Sequence, residues 1–376
     1  HAPSPLALPS RIQGRWLCVG GHLKNTLAVA AGDRVVLSPH LGDLGSAAAA
    51  EAFRRTRTLF GDLLGGQFTA VACDRHPDYT STREAAALGL PVTPVQHHLA
   101  HVLACLLEHR RAADGVLGVA WDGTGYGPDG TVWGGEFLLL RDGAAERFGR
   151  LAPFRLAGGD AAARDPRRSA LGLLHAMGDA RHDAAAEALG FSPADRNVLR
   201  VMLARGLNAP LATSAGRLFD GFAALAGLAS RNAFEGQAAL AVEAAALGAR
   251  EAPELPLPVR DLDSGQGARC ELDWRPLLAA ALDRRARGVP ADALALGLHR
   301  ALAAGIVAVA RRAGVGTVAL SGGCFQNALL LDLTVAALRA ANFEVLTHRL
   351  LPPNDGNIAA GQALAACWNV TDVHLP

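Results

Sequence analysis

Two histidines four residues apart, His97 and His101, lie at the start of a segment of helical composition that extends to Ala112. A separation of four residues places both imidazoles on one face of a helix, within reach of one divalent metal ion. A helix cap or a solvated face would also explain a histidine-rich helix start. The glutamate of the HExxH pattern is missing between the pair, which argues against a zinc protease. The pair is therefore a candidate metal site of another kind.

A glycine-rich segment, Asp122-Gly123-Thr124-Gly125-Tyr126-Gly127, follows a predicted strand at 116–121. Glycines let a backbone approach a ligand closely and present amide N–H groups to an anion, and an aspartate at a strand end can hold a metal that bridges phosphates. An ordinary hairpin turn over Asp122–Gly130 would explain these residues almost as well as a ligand site does. On the predicted return strand, Gly134 and Gly135 again indicate close approach by a ligand or by another backbone.

A diglycine turn, Gly322-Gly323, joins a predicted strand at 317–321 to a predicted helix. The N-terminus of a helix favours an anion or the polar groups of a nucleotide, and the amide of Asn327 can bond a ribose or a base. A plain strand-to-helix turn, in which glycine permits tight packing, is equally compatible with these residues. Further along, Asp355 precedes the last predicted helix, and by itself it indicates only an N-cap.

The single lysine of the chain, Lys24, lies in a second diglycine segment, Gly20-Gly21-His22-Leu23-Lys24-Asn25, and the rest of the 36 basic side chains are arginines. Since Arg and Lys do similar work on a solvated surface, such a chain keeps a lysine by chance or where a compact ammonium is needed. In this hairpin the ammonium could reach a phosphate as a point charge.

Composition excludes several classes of protein. The 376 residues carry 36 basic and 35 acidic groups, a net charge of +1, which gives no broad basic field and disfavours nucleic acid as a partner. Half of the residues are apolar, enough for a sizeable core. The apolar stretches are interrupted within about a dozen residues, so no membrane span of about 20 is predicted. Six cysteines without a CxxC pair, and no signal-peptide core, indicate reduced thiols and a cytoplasmic location.

Strand and helix signals alternate along the chain, which indicates an α/β layered fold. We predict a flexible N-terminus over residues 1–14 and an N-terminal α/β lobe over residues 15–113. The pattern restarts at Asp114-Gly115 with a hairpin, so a C-terminal α/β lobe is predicted over residues 114–368. The Ala/Leu-rich segment over about residues 153–313 predicts a large helical insertion in that lobe.

In this order the motifs resemble the C-terminal catalytic module of the carbamoyltransferases of nickel–iron hydrogenase maturation, the HypF type. These are related to antibiotic carbamoyltransferases and to the TsaD-type tRNA threonylcarbamoyl transferases. The resemblance covers about residues 20–361 and implies the two-lobed actin/hexokinase-like ATPase fold. The matching motifs are GGHLKNT, DRHPDYTST, VQHHLAH, WDGTGYGPDG with WGGE, GRLFD, FEGQAA, SGGCFQN and PPNDGNIAAGQA.

The resemblance also implies a site between the lobes. One divalent ion, iron or zinc, would be ligated by His97, His101, Asp122 and Asp355, and mixed His and carboxylate ligands suit either metal. The catalytic residues would be Lys24, beside the phosphate or the carbamoyl group, with His97, His101 and Asp122. Asp160, Asp220 and Glu235 would lie near the adenosine end of a bound nucleotide. Helix capping and surface exposure explain these charges about as well as a ligand does. ATP or carbamoyladenylate, with Mg²⁺ as an accompanying ion, would lie against Gly123, Thr124, Gly125, Asp160, Gly216, Asp220, Glu235, Gly322, Gly323 and Asn327.

The chemistry that the resemblance implies is carbamoyl transfer from carbamoyladenylate, made from carbamoyl phosphate and ATP. The acceptor would be the C-terminal cysteine of a HypE-type scaffold protein, on the route to the cyanide ligands of the nickel–iron site. Positioning and electrostatics would be the enzyme's contribution.

The chain departs from the family in length. Full-length members carry an acylphosphatase-like domain, two CxxC zinc fingers and a nucleotidyl-forming, YrdC-like domain upstream, and only about 20 residues precede the first motif here. An excised module or a naturally short form is therefore expected, and a partial reaction such as carbamoyl phosphate breakdown becomes an option. Two other hypotheses stay open: O-carbamoylation of a small molecule, and a non-catalytic nucleotide-binding partner of a full-length paralogue.

Overall fold

The chain folds around two β-sheets in the computed structural model, which describes residues 5–376. In the first sheet β1 pairs antiparallel with β2 and parallel with β3, and β3 pairs parallel with β4. Two helices, α1 and α2, connect these strands. The elements are β1 (Leu6–Cys18), β2 (Ala28–Leu37), α1 (Ala47–Leu63), β3 (Ala70–Asp74), α2 (Thr80–Ala86) and β4 (Val92–Val95).

The first strand is longer than the sequence indicated. Residues 1–4 lie outside the described residues, but β1 pairs with β2 from Leu6 onward, and Leu6, Leu8 and Ile12 are buried. The prediction of a flexible segment over 1–14 is therefore wrong for the part that lies in β1. Prolines and a glycine hide the strand in the sequence, because such residues usually mark loops.

The second sheet contains nine strands and takes up most of the remaining chain. Its main path has the order 10-11-7-6-5-12-13, with the short strands β8 and β9 attached beside β6. The strands are β5 (Val116–Tyr126), β6 (Val132–Arg141), β7 (Ala144–Leu151), β8 (Phe154–Arg155), β9 (Leu211–Ala212), β10 (Val259–Asp261), β11 (Cys270–Leu272), β12 (Thr317–Ser321) and β13 (Glu344–Thr347).

The glycine-rich segment after Trp121 is extended strand rather than the turn that the hairpin interpretation gave. β5 continues to Tyr126, and its register against β6 is interrupted between Trp121 and Gly125. The turn comes later, where Gly127 donates its N–H to the carbonyl of Thr131 at 3.0 Å. The irregular stretch of β5 therefore presents its backbone at the sheet surface, where a bulge can redirect side chains.

The two glycines of β6 are required by neighbouring backbone. A Cβ atom on Gly134 would lie 2.7 Å from the carbonyl oxygen of Asp122, and one on Gly135 would lie 2.4 Å from that of Thr213. Of the two interpretations that the sequence left open, the described residues favour close approach by another backbone.

Most of the predicted insertion consists of helices that follow α3 (His97–His109). The predicted helical insertion over about 153–313 also contains short strands, because β8, β9, β10 and β11 fall inside it. The helices are α4 (Ala161–Arg164), α5 (Pro166–Met177), α6 (His182–Ala188), α7 (Pro193–Arg205), α8 (Ala215–Ala226), α9 (Gln237–Gly248), α10 (Arg275–Ala286), α11 (Ala291–Ala313), α12 (Ala328–Ala340) and α13 (Ile358–Trp368).

Helix α11 is a core element of the second lobe. It has 23 residues and is long and apolar enough to cross a membrane by composition, but 78% of its most apolar window is buried in the structure. Burial on nearly all sides is what an all-round apolar helix requires in a globular core. All six cysteines are free in the structure.

Helices α3 and α13 lie against each other at the junction of the two sheets. The residues from His97 to Leu107 are all buried in α3, and those from Ile358 to Ala365 are all buried in α13. A Cβ atom on Gly361 would lie 1.8 Å from the carbonyl oxygen of Ala100, so only glycine permits this approach. The pair brings the start of α3 close to the loop that precedes α13.

Candidate functional site

Four side chains from three separate segments converge where α3 begins. His97 and His101 come from the first turns of α3, Asp122 from β5, and Asp355 from a 3₁₀ turn just before α13. One ligand atom from each lies within 4.8 Å of the others, and all four residues are buried. The imidazole Nε2 of His97 lies 3.4 Å from Asp122 Oδ2 and 3.8 Å from Asp355 Oδ1. For His101 the corresponding distances are 3.6 and 3.7 Å.

Local structure fixes the two imidazoles in this position. Gln96 caps α3, because its side-chain oxygen accepts the N–H of Leu99 at 2.8 Å. Gly125 of β5 passes directly over the rings, and a Cβ atom there would lie 2.8 Å from Cδ2 of His97 and 2.5 Å from Cε1 of His98. The glycine of the sequence motif is therefore needed for packing against the histidines.

Each candidate histidine ligand is oriented by a second polar group. His97 donates from Nδ1 to Asp74 Oδ2 at 2.7 Å, and His101 donates from Nδ1 to Asn357 Oδ1 at 3.0 Å. Both Nε2 atoms are buried and have no hydrogen-bond partner. Donation from Nδ1 leaves a lone pair on each Nε2, aimed at the two carboxylates, which is the arrangement of metal-ligating histidines.

The support for His101 extends further through buried polar side chains. Asn357 donates from Nδ2 to Ser321 Oγ at 3.3 Å, and Ser321 lies 2.8 Å from Nε2 of His348. His348 Nδ1 lies 3.3 Å from Glu108 on α3. This network connects three elements behind the ligands and restrains the rotation of Asn357.

The electrostatics of the site are dominated by its buried carboxylates, which give it a negative charge. Burial opposes a charged imidazole at His97, but the carboxylates of Asp74, Asp122 and Asp355 outweigh it and raise its pKa well above the usual value. Burial would raise the pKa of Asp122, yet the neighbouring imidazoles of His101 and His97 hold it well below its usual range. Burial and the neighbouring Asp122 charge raise the pKa of Asp355 to about 6.

These residues fit a resident divalent metal ion. Unpartnered buried polar atoms are costly, and two imidazole nitrogens and two carboxylates that point at one another gain a partner if a cation lies between them. Two nitrogen and two oxygen donors suit zinc or iron. The four ligands implied by the sequence resemblance are thus brought together. Asp74 and Asn357, which orient them, were not identified from the sequence, although both lie inside its quoted motifs.

A cavity of about 210 Å³ opens beside the four ligands. Its lining joins Lys24 of the first lobe to residues of β5, α8, α9 and the turn after β12. Asp122 forms part of the wall, so a bound molecule would touch the candidate metal site directly. The residues that the sequence assigned to a nucleotide and that line this cavity are Gly123, Gly216, Asp220, Glu235, Gly323 and Asn327.

Lys24 reaches across this cavity. Its backbone has a positive φ of 44°, and its ammonium pairs with Glu235 of the segment before α9. Burial lowers the pKa of Lys24, but the hydrogen bond and charge of Glu235, with smaller contributions from Asp355 and Asp122, raise it overall. A permanently charged ammonium therefore lies between the candidate metal ligands and Glu235.

Four of the proposed nucleotide residues lie elsewhere. Thr124, Gly125 and Asp160 line a second cavity of about 420 Å³ farther along β5. Gly322 lines neither cavity. It has a φ of 100°, donates to the carbonyl of Pro353 at 2.8 Å, and has no room for a Cβ atom beside Trp121, so its position is explained by the turn itself.

Asn327 lines the first cavity but is already hydrogen-bonded. Its oxygen accepts the N–H of Leu330 as the cap of α12, and its amide nitrogen donates to Nε2 of His299 at 2.9 Å. The sequence placed Asn327 one turn inside a helix; in the structure α12 begins after it. The cap role, rather than a ribose contact, accounts for the bonds seen here.

Comparison with known proteins gives consistent matches along the chain. The family described as "HypF Kae1-like domain" matches residues 11–108, and the family described as "Carbamoyltransferase, Kae1-like Domain, second subdomain" matches residues 118–362. Carbamoyltransferase HypF of Synechocystis sp. is 41% identical over 97% of the chain and 49% of its own length. A carbamoyltransferase HypF homolog of Cupriavidus necator is 38% identical over 96% of the chain and 93% of its own length. Apart from this homolog, the chain spans about half the length of the curated relatives it matches.

Solved structures agree. The crystal structure of full-length HypF in its phosphate- and nucleotide-bound form matches with a TM-score of 0.89 and 31% identity, over 98% of this chain and 57% of that one. The structure of T. kodakarensis HypF matches with a TM-score of 0.87 and 28% identity, over 98% of this chain and 49% of that one. The α/β fold that the sequence predicted is the fold of these HypF structures.

Proposed function

Since the chain belongs to the HypF carbamoyltransferase family and forms its Kae1-like domain, we propose that it transfers a carbamoyl group during nickel–iron hydrogenase maturation. The observation that supports this most is the convergence of His97, His101, Asp122 and Asp355 beside a cavity whose wall includes Asp122 and Lys24. We further propose carbamoyladenylate, formed from carbamoyl phosphate and ATP, as the donor, and a cytoplasmic location.

The residues of the first cavity divide the work of holding this donor. The four ligands would hold one divalent ion, zinc or iron, which when bound would polarise an oxygen of the donor and offset its negative charge. Lys24 supplies a second positive charge at the same wall. The backbone of Gly123 and Gly323 lets phosphate oxygens approach closely, because neither residue has a side chain to displace them.

The proposed transfer has a simple balance. The sulfur of a C-terminal cysteine on a HypE-type scaffold protein attacks the carbamoyl carbon, and a C–S bond forms. The bond from that carbon to the phosphate oxygen breaks, AMP leaves with the electron pair, and the thiol proton passes to solvent. The contribution of the chain is to orient the mixed anhydride and to exclude competing water.

The proposal is tested by measuring transfer and metal content together. Purified protein is given carbamoyl phosphate, ATP and a peptide ending in cysteine, and a gain of one carbamoyl group on the peptide is measured by mass spectrometry. We expect His97→Ala and His101→Ala to lose both bound metal and transfer. His40→Ala, at an exposed histidine outside the site, is the matched control.

Three other results would contradict the proposal. Carbamoylation of an amino sugar but not of the peptide would favour O-carbamoylation of a small molecule. Nucleotide binding without turnover of carbamoyl phosphate would favour a non-catalytic partner. Breakdown of carbamoyl phosphate without transfer would restrict the chain to a partial reaction.

A further inference from the structure

The second cavity lies farther along β5 than the first and is twice its volume, about 420 against 210 Å³. One wall is a stack of three flat rings. Tyr79 packs 4.2 Å from His76 at an interplanar angle of 3°, and 5.3 Å from His22 at 24°. The opposite wall comes from β5 and from the segment around Asp160. We name this cavity, with those two walls, the ring-stack cleft.

The ring stack is held in place before any ligand arrives. His22 accepts the N–H of Thr80 on its Nδ1 at 3.3 Å, and His76 accepts the N–H of Asp78 at 3.2 Å. Tyr126 adds an edge-on contact to His76 at 5.3 Å and is 37% exposed. A rigid flat surface of this kind suits planar groups such as peptide amides, since little side-chain entropy is lost on contact.

Arg217 of α8 lines both cavities. It is 6% exposed, its Nε lies 2.8 Å from Asp220 Oδ2 in an ion pair, and its two terminal nitrogens make no hydrogen bond with the described residues. A buried guanidinium with an unused N–H is unfavourable unless a ligand accepts from it. A carboxylate, which can accept from two of its N–H groups at once, is the best geometric match.

The charges of the ring-stack cleft disfavour a second nucleotide. Asp78 and Asp160 lie on its lining, and in the described part of the chain the Asp160 side chain makes no hydrogen bond or ion pair. Two carboxylates repel the several charges of a nucleotide's phosphates more strongly than the single charge of a peptide carboxylate, which Arg217 on the same lining can offset. The volume falls within the range of about 300–1,000 Å³ that is common for binding pockets.

We propose that the ring-stack cleft binds the C-terminal segment of the acceptor polypeptide. The terminal carboxylate pairs with Arg217, and the preceding peptide groups pack on the rings of Tyr79 and His76. The nucleotide donor and the acceptor then lie in neighbouring cavities along β5, with Arg217 on the lining of both. This inference rests on the proposed function, because it identifies how the acceptor of that reaction is held; it adds no covalent step of its own.

The first test is photo-crosslinking, which needs no turnover. A six-residue peptide ending in cysteine with a free carboxylate carries a benzophenone two residues before its end and is irradiated with the full chain. We expect crosslinks within residues 76–80, 124–132 or 156–163. Crosslinks to residues 234–243 on the wall of the first cavity, or no saturable crosslink, would overturn the inference. Transfer can fail while these crosslinks form, so failure of the proposed function is distinguishable.

The second test measures affinity by fluorescence anisotropy. Tyr126→Ala should weaken binding of the peptide about tenfold and leave ATP binding within about twofold. Leu240→Ala, on the wall of the first cavity, should do the reverse. Amidation of the peptide terminus should cost the wild type about tenfold and cost Arg217→Met nothing. Equal effects of amidation on both proteins would refute the role of Arg217, and Tyr126→Ala keeps the test decisive if Arg217→Met does not fold.

Discussion

The imidazole of His97 donates from Nδ1 to the carboxylate of Asp74 across 2.7 Å, and neither side chain is exposed to solvent. Asp74 is the last residue of β3 in the first sheet, whereas His97 begins the helix that leads into the second. The bond therefore sets both the tautomer and the ring orientation of a candidate metal ligand.

We expect Asp74→Asn to weaken metal binding about 10- to 100-fold, because an amide supports the Nδ1–H less strongly than a carboxylate does. Competition with a coloured chelator gives the dissociation constant. Asp78→Asn, the same change at an exposed carboxylate, is the control. Equal affinities in wild type and Asp74→Asn would show that the bond only supports the fold.

Gly125→Ala should disturb the histidines, since the new methyl group would lie 2.5 Å from His98 and 2.8 Å from His97. Overpacking of this kind costs about 1–3 kcal/mol, and the metal content should fall as well. Gly123→Ala is the matched control for both readouts, because a Cβ atom there meets nothing within 4 Å. Thermal melting and elemental analysis measure them. A melting temperature equal to that of the control would contradict the packing argument.

Lys24→Arg should lower the affinity for ATP about fivefold, although the charge is kept, because a planar guanidinium cannot replace a compact ammonium in this geometry. Arg34→Lys, a charge-preserving change on a largely exposed side chain, should have no effect. Isothermal titration gives both affinities. If Lys24→Arg bound ATP as the wild type does, the single lysine of the chain would be an accident of composition.

Metal affinity should fall as the pH is lowered through about 6. In the metal-free protein the pKa of Asp355 is raised to about 6, chiefly by burial and then by the charge of Asp122. Below that pH a proton must be displaced from Asp355, in addition to the proton that the raised pKa of His97 keeps on its imidazole. Dissociation constants measured from pH 5 to 8 should show this loss, and Asp355→Asn should bind more weakly with a flatter pH dependence. An equally steep dependence in that variant would assign the titration to another group.

The sequence predicted the chemistry of the site better than its surroundings. His97, His101, Asp122 and Asp355 lie within short motifs whose residue types reveal the ligands. Asp74 pairs with His97 across 23 positions, and such a contact depends on how β3 and α3 pack, which no local pattern encodes.

Some structural features could not be predicted from the sequence for the same reason. The strand β7 has the sequence AAERFGRL, which lacks the apolar alternation expected of a strand and is stabilised by pairing with β6 and β11. Asp160 follows two glycines and carries no sign of which cavity it faces. Only the path of α4 and α8 places it on the ring-stack cleft.

The contact of Gly361 with the carbonyl of Ala100 has a mechanical consequence. Because α3 carries His101 and α13 follows Asp355 directly, these two ligands belong to one stiff helix pair and keep their spacing when other parts of the molecule move. If the two lobes move relative to each other, they would pivot about the helix pair. Such a motion would break the Lys24–Glu235 contact at the far side of the cavity. Hydrogen exchange should find the amides of α3 and α13 among the slowest of the chain, with those near Glu235 exchanging much faster.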